Sequence, residues 1–548
     1  MTDLLRIRNA RIVDPEHERH GQEITLVAQD GRLLTDSEST KLSKCVDEID
    51  AAGLIVMAGG IDIHTHIAGG KVNLARCLAE SLPDSTPIWP CHRNGRLYNA
   101  MGYTTCFEPA MLLSGARHTH LELADTPNLD TGAYVVLGNE DWLLKLIGED
   151  VDDETLKSLV GWSMHASRAL AVKVVNPGGI SAFKFNQRNL DVDIPHSHFG
   201  VTPRSVIRRL AQAVDSLGVP HPLHVHASNL GIAGNIRSTL ATLNAAEGCR
   251  LHLTHAQFHC YSDDGPYGMG SAAECLAHYV NEHTNISLDV GQVVFGQTIT
   301  LSADSAAQYR NHRFAKPNNW IVNEIECQAG CGLVPMRYEN RQYVHSLQWA
   351  IGLELMLLIS DPWRVFLTTD HPNGGPFTSY PHLIRLLMDR SFRLQMLEQI
   401  HPDVGQRTLL REIQREYSLD EIAIITRAAP ARILGIDRHC GSLRSGRLAD
   451  VVAYRKHENW EQTFREVVFL IKRGRKIFDQ SAGHAWDHIE LPRLHTDCYA
   501  FRYDCDLETV NKFADMIQGT LRVSLDSLTL SDEEMLQHVG QCPVYVGH

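Results

Sequence analysis

The sequence predicts an α/β protein: a (β/α)8 barrel of the TIM type, with a small β-sandwich built from both termini and a C-terminal tail. Three observations predict it. Short apolar runs alternate with longer helical stretches through the middle of the chain. Both ends carry period-two strand patterns split by Gly, Asp and Pro. Imidazole, amine and carboxylate side chains recur where the central runs end, which is where a barrel places its reactive groups.

Composition narrows the class. The 548 residues are 43% hydrophobic and 21% charged, with 40 Gly and 22 Pro, which excludes a disordered, collagen-like or coiled-coil chain. Lys+Arg 51 against Asp+Glu 65 leaves a net charge of −14 without basic blocks, which argues against nucleic acid or a membrane surface as partner. The N-terminus, MTDLLRIRNARIVDPEHE, lacks the apolar core of a secretory signal. The longest apolar stretch, Trp349–Ile359, is interrupted by Glu354 and too short to cross a bilayer. Thirteen Cys, an odd number, read as reduced thiols of a cytoplasmic protein. Cys327 and Cys331 form a lone CxxxC and read as two structural thiols.

The elements follow in order. Residues 1–53 hold LLRIRNARIVD, EITLVAQDGRLL and VDEIDAAG, the first part of the sandwich. Residues 435–493 hold GSLRSGRLADVVAYR and REVVFLIKRGRKIFD, its second part. Between them, 54–434 supplies the barrel. Its strand runs are Leu54–Ile63, Tyr103–Glu108, Tyr134–Leu137, Ala171–Val175, Leu223–His226, Leu251–Thr254, Ile286–Val290 and Val365–Thr369. Helical patterns intervene, including Asp153–Leu170, acidic in its first turn, and Pro203–Leu217. Gln292–Pro362 is long enough for an insertion, and 494–548 reads as a helical extension.

The strand ends carry the chemistry. Thirty His are available, and imidazole is the commonest metal ligand. The first run ends in GGIDIHTHIAGG, where His64 and His66, two apart, point to the same side of a strand. That is half a metal site; the alternative is a metal-free pair of interior histidines. Lys173 lies inside the apolar run AVKVV, where a bare ammonium is costly to bury. Capture of carbon dioxide as a carbamate would make it an anionic oxygen donor; pairing with a carboxylate is the alternative. In HPLHVHASN, His226 is nearer the strand end than His224. In RLHLTHAQFHC, His255 ends the strand, His252 faces the other way and His259 lies beyond in the loop. Asp370 ends the eighth run, where a carboxylate binds a metal and accepts a proton. His64, His66, Lys173, His226, His255 and Asp370 together suit two divalent cations, zinc foremost, bridged by the carbamate of Lys173.

The order HxH…K…H…H…D, with the closing TRAAPARILG…GSLRSGRLADVV block, resembles the amidohydrolase superfamily. The blocks GGIDIHTHIAGGKVNLAR, MGYTTCFEPAM, ARHTHLEL, KVVNPGG, HVHASNLGIAGN, LTHAQFHCYS and LTTDHPNGGPFTSYP resemble the A-subunit family of formylmethanofuran dehydrogenases and, more closely, of bacterial formyltransferase/hydrolase complexes. The resemblance implies hydrolysis of a formylated methanofuran-type carrier to formate and free amine, with Asp370 moving the proton. It implies three partners: a formyltransferase subunit, a dehydrogenase-like subunit, plus a small β-helical subunit. It also implies an acidic carrier tail, for which Lys71, Arg76, Arg93, Arg96 and Arg117 are basic candidates. Arg117, His118 and Asn229 are the expected substrate-side residues. Competing expectations are an archaeal-type subunit condensing formate, a dihydropyrimidinase or N-acyl deacylase, and a metal-free scaffold subunit.

Overall fold

A computed structural model describes residues 4–39, 47–79, 82–187, 189–303, 332–480, 494–505, 507–521 and 524–547. Cys327 and Cys331 lie outside the described residues. Among the described residues, no helix is long and apolar enough to cross a membrane.

Eight parallel strands make the barrel: Gly60–Asp62, Tyr103–Met111, Asp130–Leu137, Ala171–Val175, Leu223–His226, Leu251–Leu253, Ile286–Asp289 and Val365–Phe366. Seven of the joins are continuous strand pairings. The eighth is a single parallel bridge, Thr65 to His371, supported by His66 N donating to His371 O at 2.7 Å. Closure therefore falls between the two segments that carry the first and last expected ligands.

The crossover helices form as their sequences dictate. Asp153–Ser167 starts at Asp152, whose carboxylate accepts from Thr155 N. Pro203–Ser216 has Pro at its first turn and a capping box between Thr202 and Ser205. Its face of Val206, Ile207, Leu210, Ala211 and Val214 packs into the main core.

The termini build one sheet of eight strands: Leu4–Ile12, Glu23–Gln29, Arg32–Leu33, Asp47–Asp50 and Leu54–Ala58 from the front, and Val451–Arg455, Val467–Lys472 and Arg475–Asp479 from the back. The sheet folds over on itself, because Arg32 bridges Leu448 and Ala449 N donates to Gly31 O at 2.8 Å. Ile7, Ile12, Leu26, Val56, Val451 and Phe469 fill the core between its layers.

Two expectations need correction. The apolar run Leu54–Ile63 is not one barrel strand: Leu54–Ala58 pairs antiparallel with Val451–Arg455 in the sandwich, and only Gly60–Asp62 enters the barrel. The break is steric. A Cβ on Gly59 would lie 2.1 Å from Thr104 Oγ1, so glycine alone lets the chain cross onto the second strand. The C-terminal segment is not purely helical. Besides Leu507–Leu521 it contributes Cys498–Phe501 and Pro543–Val546, which pair in parallel and extend the barrel sheet at Thr131 and Gly132. The insertion within Gln292–Pro362 contains an antiparallel strand pair, Gly296–Ala303 with Gly332–Tyr338.

Candidate metal centre

Lys173, His224, His252 and Ser287 occupy one row across the fourth to seventh barrel strands. All four are buried, and so are His64, His66, His226, His255 and Asp370. Five of the expected ligands thus form two groups: His64 and His66 with Asp370, and His226 with His255, to which the structure adds His259. The rings of His64 and His255 are 5.7 Å apart, so the groups adjoin.

In the first group two imidazoles converge on one carboxylate oxygen. His64 Nε2 and His66 Nε2 approach the same oxygen, Asp370 Oδ1, at 2.9 and 3.2 Å. Among the described residues neither nitrogen completes a hydrogen bond, and neither does either ring nitrogen of His255. Buried polar atoms left this way cost about 1–3 kcal/mol each. Imidazole nitrogens converging with a carboxylate are the donor set of borderline divalent cations, so these residues fit such ions.

The electrostatics agree. Burial holds the imidazole of His255 at a pKa of about 3 and that of His226 well below its ordinary value, so both offer neutral lone pairs. His64 goes the other way: burial and Lys173 oppose its protonation, but the Asp289 and Asp370 carboxylates outweigh them and raise its pKa. Burial would raise the pKa of Asp370; His64 and His255 hold it well below the usual carboxylate range. The pocket is built to hold positive charge beside these two carboxylates. Burial lowers Lys173 to about 8, against the pull of Asp370, Asp289 and Glu108 and with the help of Lys71. Some of its amine is therefore neutral near pH 7.

Three of the expected ligands, His66, His64 and His255, are held from behind by residues the sequence reading missed. Glu108, on the second strand, meets His66 Nδ1 at 2.8 Å and accepts from Ile67 N and Ala68 N at 2.9 and 3.2 Å. Asp289, ending the seventh strand, meets His64 Nδ1 and His252 Nε2 at 3.2 Å each. It also accepts from His255 N at 3.0 Å and Thr368 Oγ1 at 2.7 Å. Such partners fix the ring orientation of metal-binding histidines. Asking what sits at each strand end, applied to CFEPA and ISLDV as it was to the other runs, would have found both. His255 and Asp370 take left-handed backbone, φ 34° and 49°, an uncommon state for non-glycine residues that clusters at functional sites.

The expected substrate-side residues are not brought into this cluster. Arg117 is spent on the C-terminal segment: it pairs with Glu534 at 2.6 Å and donates to the carbonyls of Asp526, Ser527 and Thr529. His118, on the same helix, is half exposed and meets Glu122 at 3.4 Å. Asn229 turns its amide to Ser238 Oγ at 2.8 Å. Of the basic candidates, Arg76 is structural, binding Glu122 at 2.9 Å and donating to Ile67 O at 2.5 Å just past the HxH pair. Arg93 and Arg96 sit on the helix Cys91–Ala100. Lys71, in the helix Gly70–Leu78, is the candidate whose charge reaches Lys173.

A family model described as the amidohydrolase family matches residues 90–475. The A subunit of the formyltransferase/hydrolase complex Fhc of Methylorubrum extorquens is 44% identical over 500 residues, 88% of this chain and 90% of that protein. Protein FwdA of Methanocaldococcus jannaschii is 35% identical over 559 residues, 96% of each chain. The crystal structure of the formyltransferase/hydrolase complex (FhcABCD) from Methylorubrum extorquens with methylofuran contains a chain that superposes with a TM-score of 0.90. That chain is 40% identical, and the match covers 99% of this chain and 100% of that one.

Proposed function

The chain belongs to the amidohydrolase family, and from that premise we propose that it hydrolyses the N-formyl group of a formylated methanofuran-type carrier to formate and the free amine. It does so as the hydrolase component of a formyltransferase/hydrolase complex, beside a formyltransferase subunit, a dehydrogenase-like subunit, plus a small β-helical subunit. The observation that carries the reading is the convergence of His64, His66, His226, His255 and Asp370, with Lys173 buried among them, in a chain 44% identical to the A subunit of an Fhc complex.

His64, His66, His226, His255 and Asp370, together with Lys173 in N6-carboxylated form, would hold two divalent cations, zinc foremost. When bound, such a pair supplies Lewis acidity and a water acidified toward neutral pH. The protein's own groups do the rest. Asp370, a carboxylate at neutral pH, takes a proton from the attacking water as its oxygen bonds to the formyl carbon. It returns that proton to the departing nitrogen as the C–N bond breaks, leaving formate and an amine. Asp289 and Glu108 keep His64 and His66 from turning during the cycle. Lys71, whose charge reaches Lys173, offers a cation for the carrier's acidic tail.

An intact donor set argues against a metal-free scaffold. The test is formate release from the formylated carrier by the native complex, with bound metal quantified. Asp370→Asn should keep the fold and lower turnover by at least about 10²-fold. A metal-loaded wild type that releases no formate, or a smaller drop in the variant, would sink the proposal.

A further inference from the structure

His259 stands four residues past His255, in the loop after the sixth strand. It is fully buried, and among the described residues neither of its ring nitrogens has a hydrogen-bond partner. A neutral imidazole carries one donor and one acceptor, and leaving both unmet in the interior costs about 1–3 kcal/mol apiece. A fold keeps such a residue where something beyond the chain completes it.

The ring is also placed with care. One short 3-10 turn, Ala256–His259, starts after His255 and ends on His259, and it leaves the two rings side by side. They lie 5.2 Å apart with planes 28° from parallel. His226 approaches both, at 4.5 Å from His255 and 5.3 Å from His259. One nitrogen from each of the three falls within 4.8 Å of the other two. The turn is pinned through its backbone: Thr239 Oγ1 donates to His259 O at 2.7 Å, and Asn235 Nδ2 donates to Phe258 O at 2.9 Å. The backbone that carries the ring is thus held, while among the described residues nothing meets its nitrogens.

We propose that His259 is a metal ligand, completing with His226 and His255 a three-imidazole site for the second divalent cation; this rests on reading the cluster as a binuclear centre. Three neutral nitrogens favour a borderline ion such as zinc or cobalt over magnesium or calcium, which prefer oxygen. The sequence pattern HxxxH, with His226 one strand away, is the signature.

The test uses the full chain, stripped by chelator and reloaded with zinc or cobalt(II). Metal equivalents are counted by mass spectrometry, affinity is read by competition with a chromophoric chelator, and imidazoles are counted by X-ray absorption. Losing an outer partner of a metal-binding histidine typically costs about 10–100-fold in affinity. Loss of the ligand itself in His259→Ala and His259→Gln should therefore weaken the second equivalent by at least about 10-fold. Wild type should show five imidazoles over two cations, which needs no variant. Two equivalents at wild-type affinity in either folded variant would overturn the assignment, as would four imidazoles in the wild type. A wild type that holds both cations through five imidazoles but releases no formate sinks the substrate reading and leaves His259 in place.

Discussion

Gly291 follows the seventh strand and offers the sharpest test of how the site is held. Its φ of 61° is left-handed, and a Cβ there would lie 2.4 Å from His255 Cβ and 2.8 Å from His255 Cα. Ordinary contact starts near 3.4 Å, so Gly291→Ala must push His255 away by about 1 Å. The neighbours cannot absorb this elsewhere, because His255 N is tied to Asp289 and Gln257 Nε2 to Gly291 O. Two costs follow. The left-handed backbone costs about 1–2 kcal/mol for any L-residue. Displacement of a ligand by about 1 Å costs up to about 10²-fold in turnover. Gly248→Ala separates them: its φ is 90°, yet nothing lies within 4 Å of the added methyl. Both variants should lose similar backbone stability in thermal unfolding, with a further loss in Gly291→Ala. Only Gly291→Ala should lose metal and formate release. If it keeps wild-type metal content and turnover, His255 is not positioned as argued.

Further outcomes follow from the same contacts. Asp289→Asn keeps the shape but removes the charge that orients His64 and His252, and metal affinity by chelator competition should fall about 10–100-fold. Lys472, buried between Asp130 and Asp450 at 2.6 Å from each, joins sandwich to barrel; Lys472→Met removes the cation the two carboxylates share, leaving them the Arg473 side chain and amide, and should cost about 3 kcal/mol in chemical denaturation. Burial opposes the charge on Asp130, but Lys472 and Arg473 hold its pKa below the usual range. Its contribution is therefore present above the ordinary carboxylate pKa and lost as pH falls through and below that range, and Lys472→Met should flatten this acid-side loss. Arg117→Ala should loosen the C-terminal segment by about 1–3 kcal/mol, seen as faster amide exchange over Leu525–Glu534, while formate release by the chain is unchanged.

Much of the site was legible because barrel strands end where their ligands begin. His64 and His66 share a face by strand periodicity, and Lys173 stands out as an ammonium in an apolar run. Two things stayed hidden. One is a role: Glu108 and Asp289 stand at strand ends in plain view, but nothing in their own strands shows that each carboxylate meets a histidine of another segment. Arg117 looked like a substrate anchor because sequence cannot show that Glu534, more than four hundred residues away, already neutralises it. In the fold, Leu54–Ile63 read as one strand because apolar continuity passes straight through Gly59. Only the approach of Thr104 reveals that the chain changes sheets there.

The pairing of Leu54–Ala58 with Val451–Arg455 sets an order of events during synthesis. The early strand emerges from the ribosome long before its neighbour exists, and through all that time it carries an open edge of amides and carbonyls ready to join another chain. A nascent chain stalled before Asp450 would keep that edge exposed however well its barrel had formed.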